Sequence, residues 1–100
     1  MIFEWNPSKA AANLQKHKVV FQEATTIFED PLAYTFPDPK HSQGEERWLT
    51  FGHSAQGRLL VVSHLEHNEH LRIVGARRAT RHDRKIYEEG QGPGPRHPST

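Results

Sequence analysis

Three short apolar segments, each joined to the next by a four-residue polar link, most constrain how this chain can fold. The segments span residues 46–53, 58–65 and 70–77, and the links are 54–57 and 66–69. Segments of this length, rich in β-branched and aromatic residues and bounded by turn residues, are typical of strands. Because short links join antiparallel neighbours, we expect an antiparallel meander.

The first part of the chain predicts a strand at residues 2–5, then two helices. Asn6 followed by Pro7 is typical of a helix start, with an amide for the cap and a proline at the first helical position. This helix frays near His17, and a second amphipathic helix ends at Asp30–Pro31.

An extended segment at 32–36 adds a fourth strand to the meander, and a polar loop follows at 40–45. Thr80, with Asp83 three residues later, resembles a capping box that opens a last helix ending before Gly90.

The resulting order, β-α-α-β-β-β-β-α, predicts an α+β domain over residues 1–89 with an antiparallel sheet and helices packed on one face. Residues 90–100 consist largely of Gly and Pro and cannot form a packed core, so we expect a disordered tail.

Composition excludes several classes of protein. Without cysteine the chain can form neither disulfides nor a thiolate metal site. The N-terminus lacks the pattern of a signal peptide, and no apolar run reaches transmembrane length, so we expect a cytoplasmic protein. A hydrophobic content of 34% is low for a single core, which favours a stabilising partner.

Positive charge is concentrated where the last predicted strand passes into the last helix. Residues 72–85 contain six of the thirteen Lys and Arg residues, with Asp83 as their only acid. A strand that fixes one arginine, followed by a helix that spreads others, suits the binding of phosphates. A solvated basic helix is the alternative interpretation.

The chain resembles the BrnT family of toxins from bacterial type II toxin–antitoxin systems. The resemblance covers residues 2 to about 89 and is carried by ordered blocks: Phe3–Lys9 with Asn13 and Lys16–His17; Phe21, Glu23–Ala24, Phe28 and Asp30–Pro31; Glu45–Arg47, Gly52, Gly57–Val62 and Arg72–Thr80. It departs from the family at Lys18, where a small residue, often glycine, is usual, and in the tail.

This resemblance implies a RelE-like fold and a ribonuclease that inhibits translation by cleaving RNA. It also implies neutralisation by a BrnA-like antitoxin, which carries the DNA-binding segment, so that the complex represses its own promoter. The protein would contact operator DNA only indirectly, in a hetero-oligomer with the antitoxin.

Metal-independent RNA cleavage needs cations that stabilise charge on phosphorus, and arginine suits that role because it bonds two phosphate oxygens. We expect Arg58, Arg72 and Arg77 to act in this way, with Arg58 and Arg72 on neighbouring strands. Arg72 is expected to share a strand face with Val74 and Ala76 and to pair with Glu46 or Glu66; a purely structural ion pair is the alternative. RNA-backbone contacts are expected from Arg78, Arg81, Arg84 and Lys85.

His17 is the first candidate for general acid or base, and Glu46 is the second. A helix-capping role for His17 is an equal alternative. Tyr87 is a minor candidate, for which a place in the core or in an antitoxin contact is the simpler interpretation.

Two further patterns favour ordinary structural roles. His64, His67 and His70 straddle a hairpin, where a spacing of three does not put side chains on one face, so we expect neither a metal site nor a cofactor. Trp48 and Phe51 could stack on RNA bases, but a core this small needs them.

All of these features also fit a non-catalytic nucleic-acid binder, such as an inactive toxin kept as a co-repressor, or a partner that only stabilises its antitoxin. Cleavage products separate these functions, because an enzyme leaves new 5′-hydroxyl ends on RNA and a binder does not.

Overall fold

The computed structural model describes residues 1–38 and 46–91. The predicted loop at 40–45 and residues 92–100 of the predicted tail lie outside these residues. The prediction that the last helix ends before Gly90 is wrong, because the helix continues through Gln91. The elements are β1 (Ile2–Trp5), α1 (Pro7–His17), α2 (Phe21–Thr25) with a 3₁₀ turn (Thr26–Glu29), β2 (Tyr34–Pro37), β3 (Trp48–His53), β4 (Leu59–His67), β5 (His70–Arg78) and α3 (Arg81–Gln91). The predicted element order and α+β class are confirmed. None of the helices in the described ranges is long and apolar enough to cross a membrane.

The strands form one mixed sheet in the order β1-β5-β4-β3-β2. β2 to β5 pair antiparallel in sequence, which confirms the meander. β1 pairs parallel to β5, with Glu4 opposite Arg72. The first strand of the chain therefore lies beside the last, and this placement decides much of the site geometry.

Helices cover both faces of the sheet, so the expectation of helices on one face is wrong. On one side, which we call the α1–α2 face, Leu60, Val62 and Ile73 pack with Phe21 and Ile27. On the other side, the α3 face, Phe51, Leu59 and Val61 pack with Tyr87 and Ile86 of α3. Residues 59–62 of β4 are all buried, because successive residues point to opposite sides and both sides carry a core. The unbroken apolar run of β4 is the sequence signal for this arrangement.

Both ends of α1 follow from local chemistry. The Asn6 side chain accepts hydrogen bonds from the backbone N–H groups of Ser8 (2.8 Å) and Lys9 (3.1 Å), which confirms the predicted cap. Lys18 ends the helix in the left-handed conformation, with φ = 60°, and its N–H donates to Leu14. Glycine adopts this conformation without a steric penalty, which explains why a small residue suits this position.

A β-bulge interrupts β5 at Val74. Ser63 pairs with Gly75 and His64 with Ile73, so Val74 has no partner on β4. Leu71, Ile73 and Ala76 consequently all belong to the α1–α2 core. The expectation that Ala76 shares a face with Arg72 is wrong, because an extra residue resets the alternation beyond it.

Asn13 holds the chain just beyond the bulge. Its buried side-chain amide donates to the carbonyls of Val19 (3.0 Å) and Ala76 (2.9 Å) and accepts from the Ala76 N–H (3.0 Å). β1 ends opposite Ile73, so the Asn13 amide takes the place that a longer β1 would fill beside β5. The nitrogen and the oxygen of the buried Asn13 amide therefore both have hydrogen-bond partners, as buried polar groups require.

Candidate functional site

The bulge brings Arg72 and Arg77 to the same side of the sheet. Arg72 pairs with Leu65 and Arg77 with Val61, and these two β4 residues are an even number of positions apart. In an unbroken strand, residues 72 and 77 would point to opposite faces. Both arginines instead lie on the α3 face, about 14 Å apart along the strand.

Arg72 belongs to a charged cluster at the end of the sheet that α3 leaves open. Its Nε donates to Glu4 Oε2 at 3.2 Å, and the other Glu4 oxygen lies 2.8 Å from His70 Nδ1. The hydrogen bond from His70, helped by the bond and charge of Arg72, lowers the Glu4 pKa despite some opposing desolvation. The expected partners of Arg72 are wrong: Glu66 pairs with Leu71 and so points to the other face.

A cavity of about 390 Å³ opens beside this cluster. Its lining is Glu4, Leu65, His67, Asn68, His70 and Arg72. The Arg72 side chain is 58% exposed and the His70 side chain 48% exposed. Three basic side chains, those of His67, His70 and Arg72, and the Glu4 carboxylate therefore line this cavity.

Arg77 is tied to the start of α3. Its Nη1 lies 2.6 Å from Asp83 Oδ2, an oxygen that also accepts from the Thr80 N–H at 2.8 Å. Asp83 N–H donates to Thr80 Oγ1 at 3.1 Å, which confirms the capping box. Burial would raise the Asp83 pKa, but the bonds from Arg77 and Thr80 outweigh it and lower the pKa. Arg77 keeps 40% of its side chain exposed.

Arg58 lies at the opposite end of the sheet and pairs with a buried carboxylate. Its Nε donates to Glu23 Oε2 at 2.9 Å, its Nη2 bonds Glu23 Oε1, and Ser54 Oγ donates to Glu23 Oε2 at 2.7 Å. Because β4 and β5 are antiparallel, the first residues of these strands are far apart. Arg58 and the β4 position opposite Arg72 are separated by about 24 Å.

The two acid–base candidates also lie apart. His17 is half-buried at the C-terminal end of α1, beside Lys9, Lys16 and Val74. Glu46 is exposed and precedes β3 by two residues. Neither residue lies within a strand of the sheet, and neither contacts Arg72 or Arg77.

The four expected RNA-backbone residues are all exposed but do not share one surface. Arg78 pairs with Leu60 and so points to the α1–α2 face, where its charge contributes to lowering the Glu23 pKa. Arg81, Arg84 and Lys85 project from α3.

The hairpin histidines occupy different environments. His64 is fully buried, with Nε2 2.7 Å from Thr50 Oγ1 and its ring against Phe28. Burial lowers its pKa to about 4. His70 points to the α3 face with Glu4, so the two rings lie on opposite sides of the sheet. Phe51 is a core residue, as expected, while Trp48 is half-buried.

Tyr87 is buried in the core between α3 and the sheet. Its hydroxyl donates to Asp30 Oδ2 at 2.8 Å and lies 3.2 Å from His53 Nδ1. Burial, together with the Asp30 hydrogen bond, raises its pKa to about 12. The phenol thus fastens α3 to the loop before β2, which confirms the core interpretation.

Sequence reasoning did not single out Glu4 and His70, which the structure places beside Arg72 in the candidate site. Glu4 is 68 residues from Arg72, and only the parallel pairing of β1 with β5 brings them together. No local pattern encodes that pairing. The available signal was the alternation of residues 2–5, which puts Glu4 on the face opposite the apolar Phe3 and Trp5.

Comparison with known proteins identifies the family. A family model described as the ribonuclease toxin BrnT of type II toxin–antitoxin systems matches residues 5–83. The fold is similar to the 1.1 Å crystal structure of the Brucella abortus ribonuclease toxin BrnT, with a TM-score of 0.63 and 19% identity over 81% of this chain and 100% of that one. No curated protein matches the sequence. Since the family model covers most of the described domain, the chain belongs to the BrnT family of ribonuclease toxins of type II toxin–antitoxin systems.

Proposed function

We propose that this protein is a metal-independent endoribonuclease that cuts RNA bound across the open end of the α3 face. The observation that carries the proposal is the bulge at Val74, which puts Arg72 and Arg77 on one accessible surface. Two arginines fixed on a strand can bind different phosphates of one RNA strand and stabilise the charge that grows on phosphorus.

The hydrogen bonds that hold Arg72 and Arg77 are compatible with phosphate binding. Glu4 bonds Arg72 through Nε and Nη2, which leaves the remaining N–H groups of the guanidinium for a phosphate. Asp83 holds Arg77 from the side of α3. Both side chains are therefore positioned before RNA arrives, which reduces the entropy lost on binding.

The other basic residues are proposed to contact the RNA backbone. Arg81, Arg84 and Lys85 extend the positive charge along α3, and Arg78 extends it around the edge of the sheet. The roles of His17 and Glu46 in proton transfer stay predictions. We propose a structural role for Arg58, because Glu23 holds it on the other face.

In the cell, we propose that cleavage inhibits translation in the cytoplasm and that a BrnA-like antitoxin neutralises the enzyme by covering the basic surface. The antitoxin would supply the contact with operator DNA, so that the complex represses its own promoter. An electrostatic interface of this kind should weaken as salt increases.

The test uses the purified full-length chain, a labelled single-stranded RNA of mixed sequence, and EDTA. We expect new 5′-hydroxyl ends on the RNA, and no cleavage of DNA of the same sequence, which lacks the 2′-hydroxyl nucleophile. Arg72→Ala and Arg77→Ala should abolish both cleavage and growth arrest while the variants remain folded.

Arg81→Ala is the matched control, since it removes the same charge from α3 and should raise KM a few-fold without lowering kcat. If the wild-type protein shifts the mobility of RNA but never cuts it, the protein is a non-catalytic RNA binder and the proposed enzymatic function is wrong.

A further inference from the structure

The cluster of Glu4, His70 and Arg72 contains more than a phosphate-binding arginine. Glu4 Oε1 lies 2.8 Å from His70 Nδ1, while Glu4 Oε2 accepts from Arg72 at 3.2 Å. The three residues occupy adjacent parallel strands, and their register (Ile2 with His70, Glu4 with Arg72) is fixed by backbone pairing. One carboxylate thus orients an imidazole and a guanidinium side by side.

Stability does not account for this arrangement. All three side chains are at least 38% exposed, and ion pairs this accessible contribute little to folding. What the cluster provides is orientation. With Nδ1–H donated to the ionised Glu4, the lone pair of His70 Nε2 is left to accept a proton.

The neighbouring cavity has the size and chemistry for one nucleotide. Its volume of about 390 Å³ lies near the lower end of the range for small-molecule sites, about 300–1,000 Å³. Leu65 provides an apolar surface for a base or ribose, and the Asn68 side chain offers a donor and an acceptor for a base edge. His70 and Arg72 line the same space, so a bound nucleotide contacts both.

Resting on the proposed ribonuclease function, we infer that His70 is the general base of the reaction, with Glu4 as its positioning residue, and that the cavity binds the nucleotide whose 2′-hydroxyl attacks. His70 Nε2 takes the proton from this hydroxyl, and the 2′-oxygen forms a bond to phosphorus. The bond from phosphorus to the 5′-oxygen breaks, and water protonates the leaving oxygen. The products are a 2′,3′-cyclic phosphate and a 5′-hydroxyl end, with Arg72 balancing the charge on phosphorus.

Charged and titratable side chains surround His70. Glu4 faces it from β1, Arg72 and Glu69 flank it on its own strand and turn, and His67 lies opposite on β4. In Glu4→Gln the maximum rate should fall, because a neutral amide is a weaker acceptor for the His70 N–H and orients the imidazole less firmly.

The test measures cleavage of the same labelled RNA by the full-length His70→Ala variant. We expect kcat to fall on the order of 10²–10⁴-fold, with KM changed less than threefold, and added imidazole should restore part of the rate. His82→Ala, which removes an exposed histidine from α3, is the matched control and should cut at the wild-type rate.

The outcomes separate the inference from the proposed function. If wild type cuts RNA but His70→Ala is within threefold of it, the assignment of His70 is wrong and the ribonuclease stands. If added imidazole does not restore the rate lost in His70→Ala, and Glu4→Gln keeps the wild-type maximum rate, the assignment is also overturned, because these results indicate a structural role for His70. If wild type does not cut RNA, both proposals fall.

Discussion

The pair of Arg58 and Glu23 gives the sharpest prediction about stability. The Glu23 side chain is only 5% exposed, and Arg58 supplies two of its hydrogen bonds while Ser54 supplies another. Truncation in Arg58→Ala removes the charge that balances a buried carboxylate and leaves Ser54 as its one side-chain donor among the described residues.

The expected loss of stability depends on how deeply each member of the ion pair is buried. Breaking a fully buried ion pair costs about 3–5 kcal/mol, because the remaining charge is left uncompensated. Arg58 is 30% exposed, so water enters the space left by its side chain and reduces this cost. We therefore expect the free energy of unfolding to fall by about 2–3 kcal/mol, which lowers Tm by roughly 10–20 °C in a domain this small.

Urea unfolding followed by the fluorescence of the two tryptophans measures this loss. Glu23→Gln in the Arg58→Ala background should recover about 1 kcal/mol or more of the free energy of unfolding, because a neutral amide is easier to bury than an unpaired carboxylate. A loss below about 0.5 kcal/mol, or effects of the two substitutions that simply add, would refute the reasoning.

The pH dependence has a definite sign. The hydrogen bond from Arg58 holds the Glu23 pKa below its ordinary value of 4.5 in the folded protein. The stability that Glu23 contributes is therefore present above the pKa of the unfolded chain and is lost as the pH falls through the folded-state value. Arg58→Ala should make stability less sensitive to pH in that acidic range.

Three further predictions concern single positions. Asn13→Ala should lower the free energy of unfolding, measured by urea unfolding, by about 2 kcal/mol, because the buried backbone groups of Val19 and Ala76 lose their partners. The variant should also cleave RNA more slowly, and unchanged stability would show that these hydrogen bonds do not hold the backbone. Lys18→Gly should raise the Tm measured by circular dichroism, with a gain of about 1 kcal/mol from relieving the left-handed backbone, and Lys18→Ala, which gives no relief, is its control. Burial holds the His64 pKa near 4, below that of the unfolded chain, so the free energy of unfolding should fall by about 2 kcal/mol between pH 8 and pH 5. The same fall in His64→Gln would show that another group is responsible.

The sequence predicted the elements of this fold because their signals are local. The cap at Asn6, the capping box at Thr80 and the turns of the meander each depend on a few adjacent residues. The faces could not be predicted in the same way, because they change at the bulge, and the backbone just beyond the bulge is held by Asn13, 63 residues from Ala76. Likewise, Arg58 immediately precedes β4 and Arg72 lies near the start of β5, and a sequence pattern does not show that the starts of antiparallel neighbours are at opposite ends of the sheet.

The bulge at Val74 also bears on which length changes this fold can accept. Removing one residue from the interior of a strand normally inverts every side chain beyond the deletion, because the period is two. Val74 has no partner on β4, so its deletion converts β5 into a regular strand and leaves Arg72 and Arg77 on the same face. The residue that interrupts the pairing thus marks a point within β5 where the chain can shorten without exchanging core and surface.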